Sequence, residues 1–229
     1  MDPNIAIPDT APCDPATRPG ARPAGHRQGP GRLILVVGPS GAGKDTLLDG
    51  ARTALDGTLG LGFAQRVVTR PADAGGEAHE PATMAAFERM VVEDALFVHW
   101  QAHGLGYGTR AAAVARLAAG EDIVLNGSRA AVPAILARWA ATAIVHVTAP
   151  EAVIAARLAR RGREDPTSVE KRRKRVVPPL PHDVPVITVS NDQDVAAGVA
   201  RLVDAIVAIR ALPADAFAAK APKGGPVST

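Results

Sequence analysis

A chain of 229 residues, 47% hydrophobic and 21% charged, is the size of one α/β domain with tails and can bury a core without disulfide or metal staples. Its one cysteine, Cys13, excludes an internal disulfide, and no stretch of eighteen apolar residues is present to cross a bilayer. The start lacks the basic and apolar segments of a secretory signal, so a cytoplasmic protein without a membrane partner is expected.

Residues 1–31 carry seven prolines and four glycines with no apolar periodicity, and residues 212–229 are interrupted by prolines and glycines in the same way. Both are expected to be tails, disordered before and flexible after a folded unit at 32–211. That unit opens with a fully apolar strand at 33–37, followed by a helix at 44–55 with Leu47, Leu48, Ala51, Ala54 and Leu55 on one face. A strand at 64–69, a helix at 84–93, a strand at 96–101 and an Ala-rich helix at 111–119 come next. Then follow a strand at 123–125, a helix at 132–139, a strand at 143–148 and helices at 151–161 and 168–175. A strand at 186–190 and a helix at 195–209 complete the series. Apolar strands separated by helices predict an α/β fold with a parallel central sheet covered by helices on both faces.

Between Arg157 and Arg175, nine Lys/Arg stand against three acids, a local excess of +6 in a chain of net charge +3. Taken alone, this run fits a solvated helix face, a lid that closes on phosphates, or a nucleic-acid patch. With aromatics at 3%, stacking platforms for nucleic acid are lacking, and no nucleic-acid partner is expected.

The strongest signal is Gly38-Pro39-Ser40-Gly41-Ala42-Gly43-Lys44, which matches G-x-x-x-x-G-K and falls between an apolar strand and an amphipathic helix. Its glycines let backbone N–H groups converge on phosphate oxygens, the helix N-terminus adds a positive dipole end, and Lys44 can reach the β- and γ-phosphates of ATP. Where the pattern expects Ser or Thr, whose hydroxyl helps hold Mg²⁺, the chain has Asp45, followed by Thr46. After the strand at 123–125, where such folds commonly place a metal-side Asp, it has Asn126. Either a carboxylate has moved from the strand end into the loop, or Asp45 is a first-turn acid favouring the helix dipole.

Beyond the loop the chain resembles the guanylate-kinase-like branch of the nucleoside monophosphate kinases. Thr69-Arg70-Pro71, Gly76-Glu77, Phe97-Val98-His99-Trp100 and Tyr107-Gly108-Thr109 carry the likeness, which implies a P-loop kinase fold with a small lid. It departs where guanine is read: His99 and Asn126 replace the carboxylates, the second phosphate-clamping Arg is missing after Arg70, and the Tyr expected after Glu77 is absent. A closer resemblance is to the ribose 1,5-bisphosphate phosphokinase family of phosphonate breakdown. Asp45 fits that family's loop. Further matches are Thr69, Arg70, Pro71, Ala74, Gly75, Glu77 and His79, then Trp100, Ala102, Gly104, Leu105, Tyr107 and Gly108. Asn126-Gly127-Ser128-Arg129 and Arg157, Leu158, Arg161, Gly162, Arg163 and Glu164 complete them. The resemblance implies transfer of a phosphoryl group from ATP, with Mg²⁺, to ribose 1,5-bisphosphate, giving 5-phosphoribosyl 1-diphosphate.

On that resemblance, residues 38–46 hold ATP, with Asn191 in the loop that packs on the adenine and Asp45 and Thr46 toward Mg²⁺. Arg70 and Arg129 take the acceptor's phosphates; Glu77, Tyr107, Asn126, Ser128 and His99 complete its site. Arg157, Arg161, Arg163 and Arg172, in a lid at about 157–175, join Lys44 in neutralising the transferred group. Blander readings stay open: a packed core residue for Tyr107 or His99, a surface position for His79, a strand cap for Arg129 and plain packing for Trp100. Two other functions also remain, a guanylate or other nucleoside monophosphate kinase and a non-catalytic guanylate-kinase-like interaction module. His99 and Asn126 argue against the first, an intact Lys44 loop with an arginine lid against the second. The oligomeric state is open, a homodimer included.

Overall fold

The computed structural model describes residues 29–72, 77–102, 104–160 and 179–217. Its centre is a five-stranded sheet of β1 (Leu33–Val37), β2 (Leu61–Phe63), β7 (Asp122–Asn126), β8 (Thr142–Thr148) and β9 (Val186–Ser190). The spatial order is β2-β7-β1-β8-β9, and every pairing is parallel. β1 is apolar throughout because both of its faces are covered. Ile34 and Val36 point to a core completed by Leu47, Leu48 and Ala51 of α1 (Lys44–Ala54) and Leu202, Val203, Ile206 and Ile209 of α6 (Val195–Ala211). Leu33, Leu35 and Val37 point the other way, toward Leu117 of α3 (Ala112–Ala118) and Val132 and Ile135 of α4 (Val132–Arg138). α5 (Glu151–Arg160) follows β8. The helix expected at 168–175 lies outside the described residues.

A second sheet of four strands completes the fold: β3 (Arg66–Val68), β4 (Glu80–Pro81), β5 (Leu96–Ala102) and β6 (Leu105–Arg110), in the order β4-β3-β6-β5. β6 is antiparallel to both β3 and β5. The strands expected at 64–69 and 96–101 therefore belong to this sheet and not to the parallel one. α2 (Met84–Val92), capped by the Thr83 hydroxyl on the Ala86 amide, lays Phe87 across one face of it.

The domain ends later than the sequence predicts. Residues 214–217 form a short 3₁₀ turn, and Phe217 is buried in the core shared with α1 and α6. Proline and glycine spacing masked this, because the anchor is remote. The Arg32 guanidinium donates to the carbonyl oxygens of Arg210 and Leu212 and lies over the Phe217 ring at 5.1 Å. Asp122 accepts from the Arg32 backbone amide at 2.8 Å and from Arg210 Nε at 3.0 Å, so its buried charge is paired. At the start, Gly31 is likewise tied down, its amide donating to Leu117 and its carbonyl accepting from the Trp139 indole. Among the described residues no helix is long and apolar enough to cross a membrane.

Candidate active site

The carboxyl ends of β1, β7, β8 and β9 share one edge of the central sheet, where open α/β sheets hold ligands. The phosphate-binding loop leaves β1 there, with Gly38 at φ 155° and Gly43 at φ 89°. A Cβ at Gly38 would lie 2.1 Å from the Val147 carbonyl oxygen, and one at Gly43 would lie 2.3 Å from Asn191 Nδ2, so both positions require glycine. Lys44 opens α1 and turns its ammonium back over the loop, donating to the carbonyls of Gly38 at 2.8 Å and Pro39 at 3.1 Å. Burial pushes its pKa down to about 8, against the nearby Asp45 carboxylate, which raises it.

Beside the loop, the two positions that exchange residue types are in contact. Asn126, buried at the end of β7, donates through Nδ2 to Asp45 Oδ1 at 2.8 Å and to Glu77 Oε2 at 2.9 Å. Glu77 in turn holds Arg66, accepting from its Nε at 2.6 Å, and the Arg66 guanidinium lies 3.7 Å from Asp45. Arg66 also covers the Tyr107 ring at 5.3 Å, and Tyr107 stacks on Trp100 at 5.7 Å with the rings 7° from parallel. Burial raises the Tyr107 pKa, and Arg66 and Arg70 oppose that rise. One sheet face thus brings Arg66 and Tyr107 to the acids beside the loop.

Arg129 follows β7 in a 3₁₀ turn capped by Ser128, whose Oγ accepts from the Ala130 amide at 3.3 Å. Burial lowers the Arg129 pKa. Neither Arg70 nor Arg129 has a carboxylate partner among the described residues, and Arg70 reaches only the His79 ring, at 3.4 Å. His79 is buried and not a surface residue, its ring nitrogens 3.0 Å from the Glu77 carbonyl and 3.1 Å from the Arg70 carbonyl, so it staples the two ends of that loop.

His99 is not brought to this site. β5 alternates, so His99 faces away from Trp100, and its ring packs edge-on to Phe87 of α2 at 6.4 Å. Asn191 also differs from expectation. It is 4% exposed, and its Nδ2 donates to the Ala42 carbonyl at 2.7 Å, with Arg157 reaching the same oxygen at 3.4 Å. Asn191 therefore grips the phosphate loop from behind. A cavity of about 260 Å³ lies beside it, lined by Gly41, Gly43, Thr46, Leu47, Arg157, Asn191 and Val195. Arg161, Arg163 and Arg172 lie outside the described residues.

Two site residues carried no motif. Arg66 sits alone in a short strand. His146 stands near the end of β8, paired in register with Val37, the last residue before the loop, and its buried Nε2 has no hydrogen-bond partner. The signal for His146 was present in the sequence: a single titratable side chain in an otherwise apolar strand, close to the edge where ligands bind.

A lysine-bearing phosphate loop at the carboxyl edge of a parallel sheet, with a flanking mixed sheet that carries arginines toward it, defines a P-loop kinase fold. The AAA domain family model matches residues 34–178. The ribose 1,5-bisphosphate phosphokinase PhnN of Agrobacterium fabrum is 43% identical over 69% of this chain and 87% of its own length, and that of Acidiphilium cryptum is 42% identical over 80% and 96%. The bifunctional ribose 1,5-bisphosphokinase-thymidine phosphorylase of Azorhizobium caulinodans is 48% identical over 79% of this chain, which spans only 26% of that relative's length. In fold the chain is similar to guanylate kinase from Anaplasma phagocytophilum, with a TM-score of 0.54 and 13% identity over 81% of this chain and 89% of that one. The chain belongs to the ribose 1,5-bisphosphate phosphokinase family.

Proposed function

We propose that this protein transfers the γ-phosphoryl group of ATP to the 1-phosphate of ribose 1,5-bisphosphate, releasing ADP and 5-phosphoribosyl 1-diphosphate in phosphonate degradation. The observation that carries the reading is the pairing of the Lys44 loop with an acceptor side that offers Arg70 and Arg129, without carboxylate partners among the described residues, and keeps no guanine-reading carboxylate at 99 or 126. A bisphosphorylated sugar needs such cations, and planar guanidinium groups suit its phosphates. The nucleophile is a phosphate oxygen already ionised at neutral pH, so no general base is required. An acceptor oxygen bonds to the γ-phosphorus as the bond to the β,γ-bridging oxygen breaks, and positioning with charge neutralisation does most of the work.

In this reading residues 38–46 cradle ATP and Lys44 holds the β,γ-phosphates. Arg157, with Arg161, Arg163 and Arg172 beyond the described residues, would join Lys44 in neutralising the transferred group. Tyr107, Ser128, Asn126 and Glu77 complete the acceptor site. The Asp45 carboxylate and the exposed Thr46 hydroxyl are the hard oxygen donors that suit Mg²⁺, and the buried Asn126 Oδ1, without a partner, is a third oxygen on the Asp45 side. Bound there, the ion would neutralise charge on the phosphates.

The acceptor is tested by comparing substrates in a coupled ADP-release assay. Activity on GMP is expected at least ~100-fold below that on ribose 1,5-bisphosphate in kcat/KM. Efficient phosphorylation of GMP would replace this reading with that of a nucleoside monophosphate kinase. The metal assignment has its own test. Asp45→Asn should raise the Mg²⁺ concentration for half-maximal rate more than Thr46→Ala does, and Asp45→Ser with Asn126→Asp should recover part of the loss. An unchanged Mg²⁺ dependence in Asp45→Asn leaves Asp45 as a helix-dipole charge.

A further inference from the structure

Among the described residues, His146 is the histidine that the fold sets beside the last residue before the phosphate loop while leaving it without work in the scheme above. It lies on the face of β8 that carries Ile144, beside Val37 of β1 on one flank and Thr188 of β9 on the other, neither of them charged. Nε2 is buried and has no hydrogen-bond partner, an expensive state for a polar atom unless something arrives to satisfy it. Among the described residues, the charges that act on the ring are Arg129, from the turn after β7, and Lys44, from the start of α1.

We propose that His146 is a phosphate contact of this site, an imidazole in the empty protein that takes up a proton from solvent and becomes imidazolium when a phosphoryl group settles between Lys44 and Arg129. The inference rests on the reading of the site as a phosphate-binding one. Burial makes the charged ring unfavourable, and the cations Arg129 and Lys44 add to this, so the ring's pKa falls below its ordinary 6.5 in the empty site. A bound phosphate reverses the sign of the local field. The proton then becomes favourable, and Nε2 gains an acceptor for its N–H. By linkage, binding that raises a pKa takes up protons, so affinity for the phosphate falls as pH rises through the bound-state pKa.

The test is the pKa of His146 itself, read from ring ¹⁵N and ¹H shifts of the full-length protein, with the resonance assigned by its loss in His146→Gln. Three titrations are compared: protein alone, protein with Mg²⁺ and the non-hydrolysable analogue AMP-PNP, and protein with ribose 1,5-bisphosphate. Calorimetry records binding of each ligand independently. The expected result is a pKa below 6.5 without ligand and a rise of about one unit or more with one of them, equivalent to roughly tenfold tighter binding to the protonated form. The ligand that produces the rise identifies the phosphate concerned, that of the donor or of the acceptor. His146→Gln keeps a neutral donor and should lose the part of the pH dependence of affinity that wild type shows beyond the ligand's own titration. Binding of both ligands with no movement of the pKa would overturn the proposal while leaving the kinase reading intact. Failure of either ligand to bind would overturn both.

Discussion

Replacing Lys44 with methionine is expected to lower phosphoryl transfer by about 10²–10³-fold or more while leaving the empty protein as stable as wild type or more so. The two halves of the prediction have one cause. The ammonium is held over the loop by two carbonyl oxygens, in a position that desolvates it enough to bring its pKa to about 8. A charge kept there without phosphate costs the fold stability. Between pH 8 and 10.5 the unfolded chain binds more protons at this site than the folded one, so stability of the empty protein should rise with pH through that window. Methionine keeps most of the side-chain volume and removes the titrating group, so the rise should vanish. Against this stands the loss of two hydrogen bonds to the Gly38 and Pro39 carbonyls. These residues are only partly buried at the ligand edge, where water can replace the ammonium, so the loss should be small. Thermal melts at pH 7, 8.5 and 10 alongside the ADP-release assay test both halves. Turnover near the wild-type rate would remove Lys44 from the mechanism, and a large fall in melting temperature at pH 7 would show that it is a structural residue.

How much of this was legible in advance follows from where the information sits. The central sheet and its helices could be read because each strand is a short apolar run buried on two faces, and the phosphate loop because its glycines have no conformational substitute at their positions. β6 was invisible as a strand because Gly106 and Gly108 flank Tyr107, and glycine weakens a strand. Its partners explain the glycines: a Cβ at Gly106 would meet the Phe87 ring at 2.8 Å, and one at Gly108 would meet Leu96 at the same distance. The Gly-Tyr-Gly segment is thus as much a packing solution for α2 as a substrate motif. The sequence places His99 with the substrate residues because it stands where the resembled kinases carry a base-reading carboxylate, just before Trp100. Adjacent residues of a strand face opposite ways, and segment matching cannot see this until the register is known. Arg66 had no signal at all. Its role comes from Glu77, eleven residues on, and from Tyr107 on the neighbouring strand. The contact between Asp45 and Asn126 was foreshadowed only in that both depart from the commoner pattern together.

Substitution of Asn191 should be the second most damaging single change described here, although its side chain is almost wholly hidden. Asn191 is held by its amide on the Thr148 carbonyl at 2.7 Å, and its side chain occupies the space that glycine leaves at both 43 and 198. From there Nδ2 fixes the Ala42 carbonyl, so the residue sets the curvature of the loop that meets the phosphates. Asn191→Leu retains the volume and deletes the donor. The Ala42 carbonyl then keeps only the longer contact from Arg157, at 3.4 Å; loss of the shorter bond costs about 1 kcal/mol or more, and the KM for ATP should rise by roughly tenfold. Asn191→Asp should be worse. It sets a carboxylate oxygen where the donor was, against the Ala42 oxygen, and buries a charge beside Arg157, which reaches the same oxygen. Leaving that charge poorly paired costs about 3–5 kcal/mol, and pairing it draws Arg157 off the Ala42 carbonyl and out of the phosphate role proposed for it. Either outcome lowers kcat/KM for ATP more than the leucine variant does, and the two separate cleanly. A falling melting temperature marks the unpaired charge. A retained melting temperature with a lower kcat marks the captured arginine. If Asn191→Leu left both the KM for ATP and the melting temperature unchanged, the grip on Ala42 would have no part in shaping the loop.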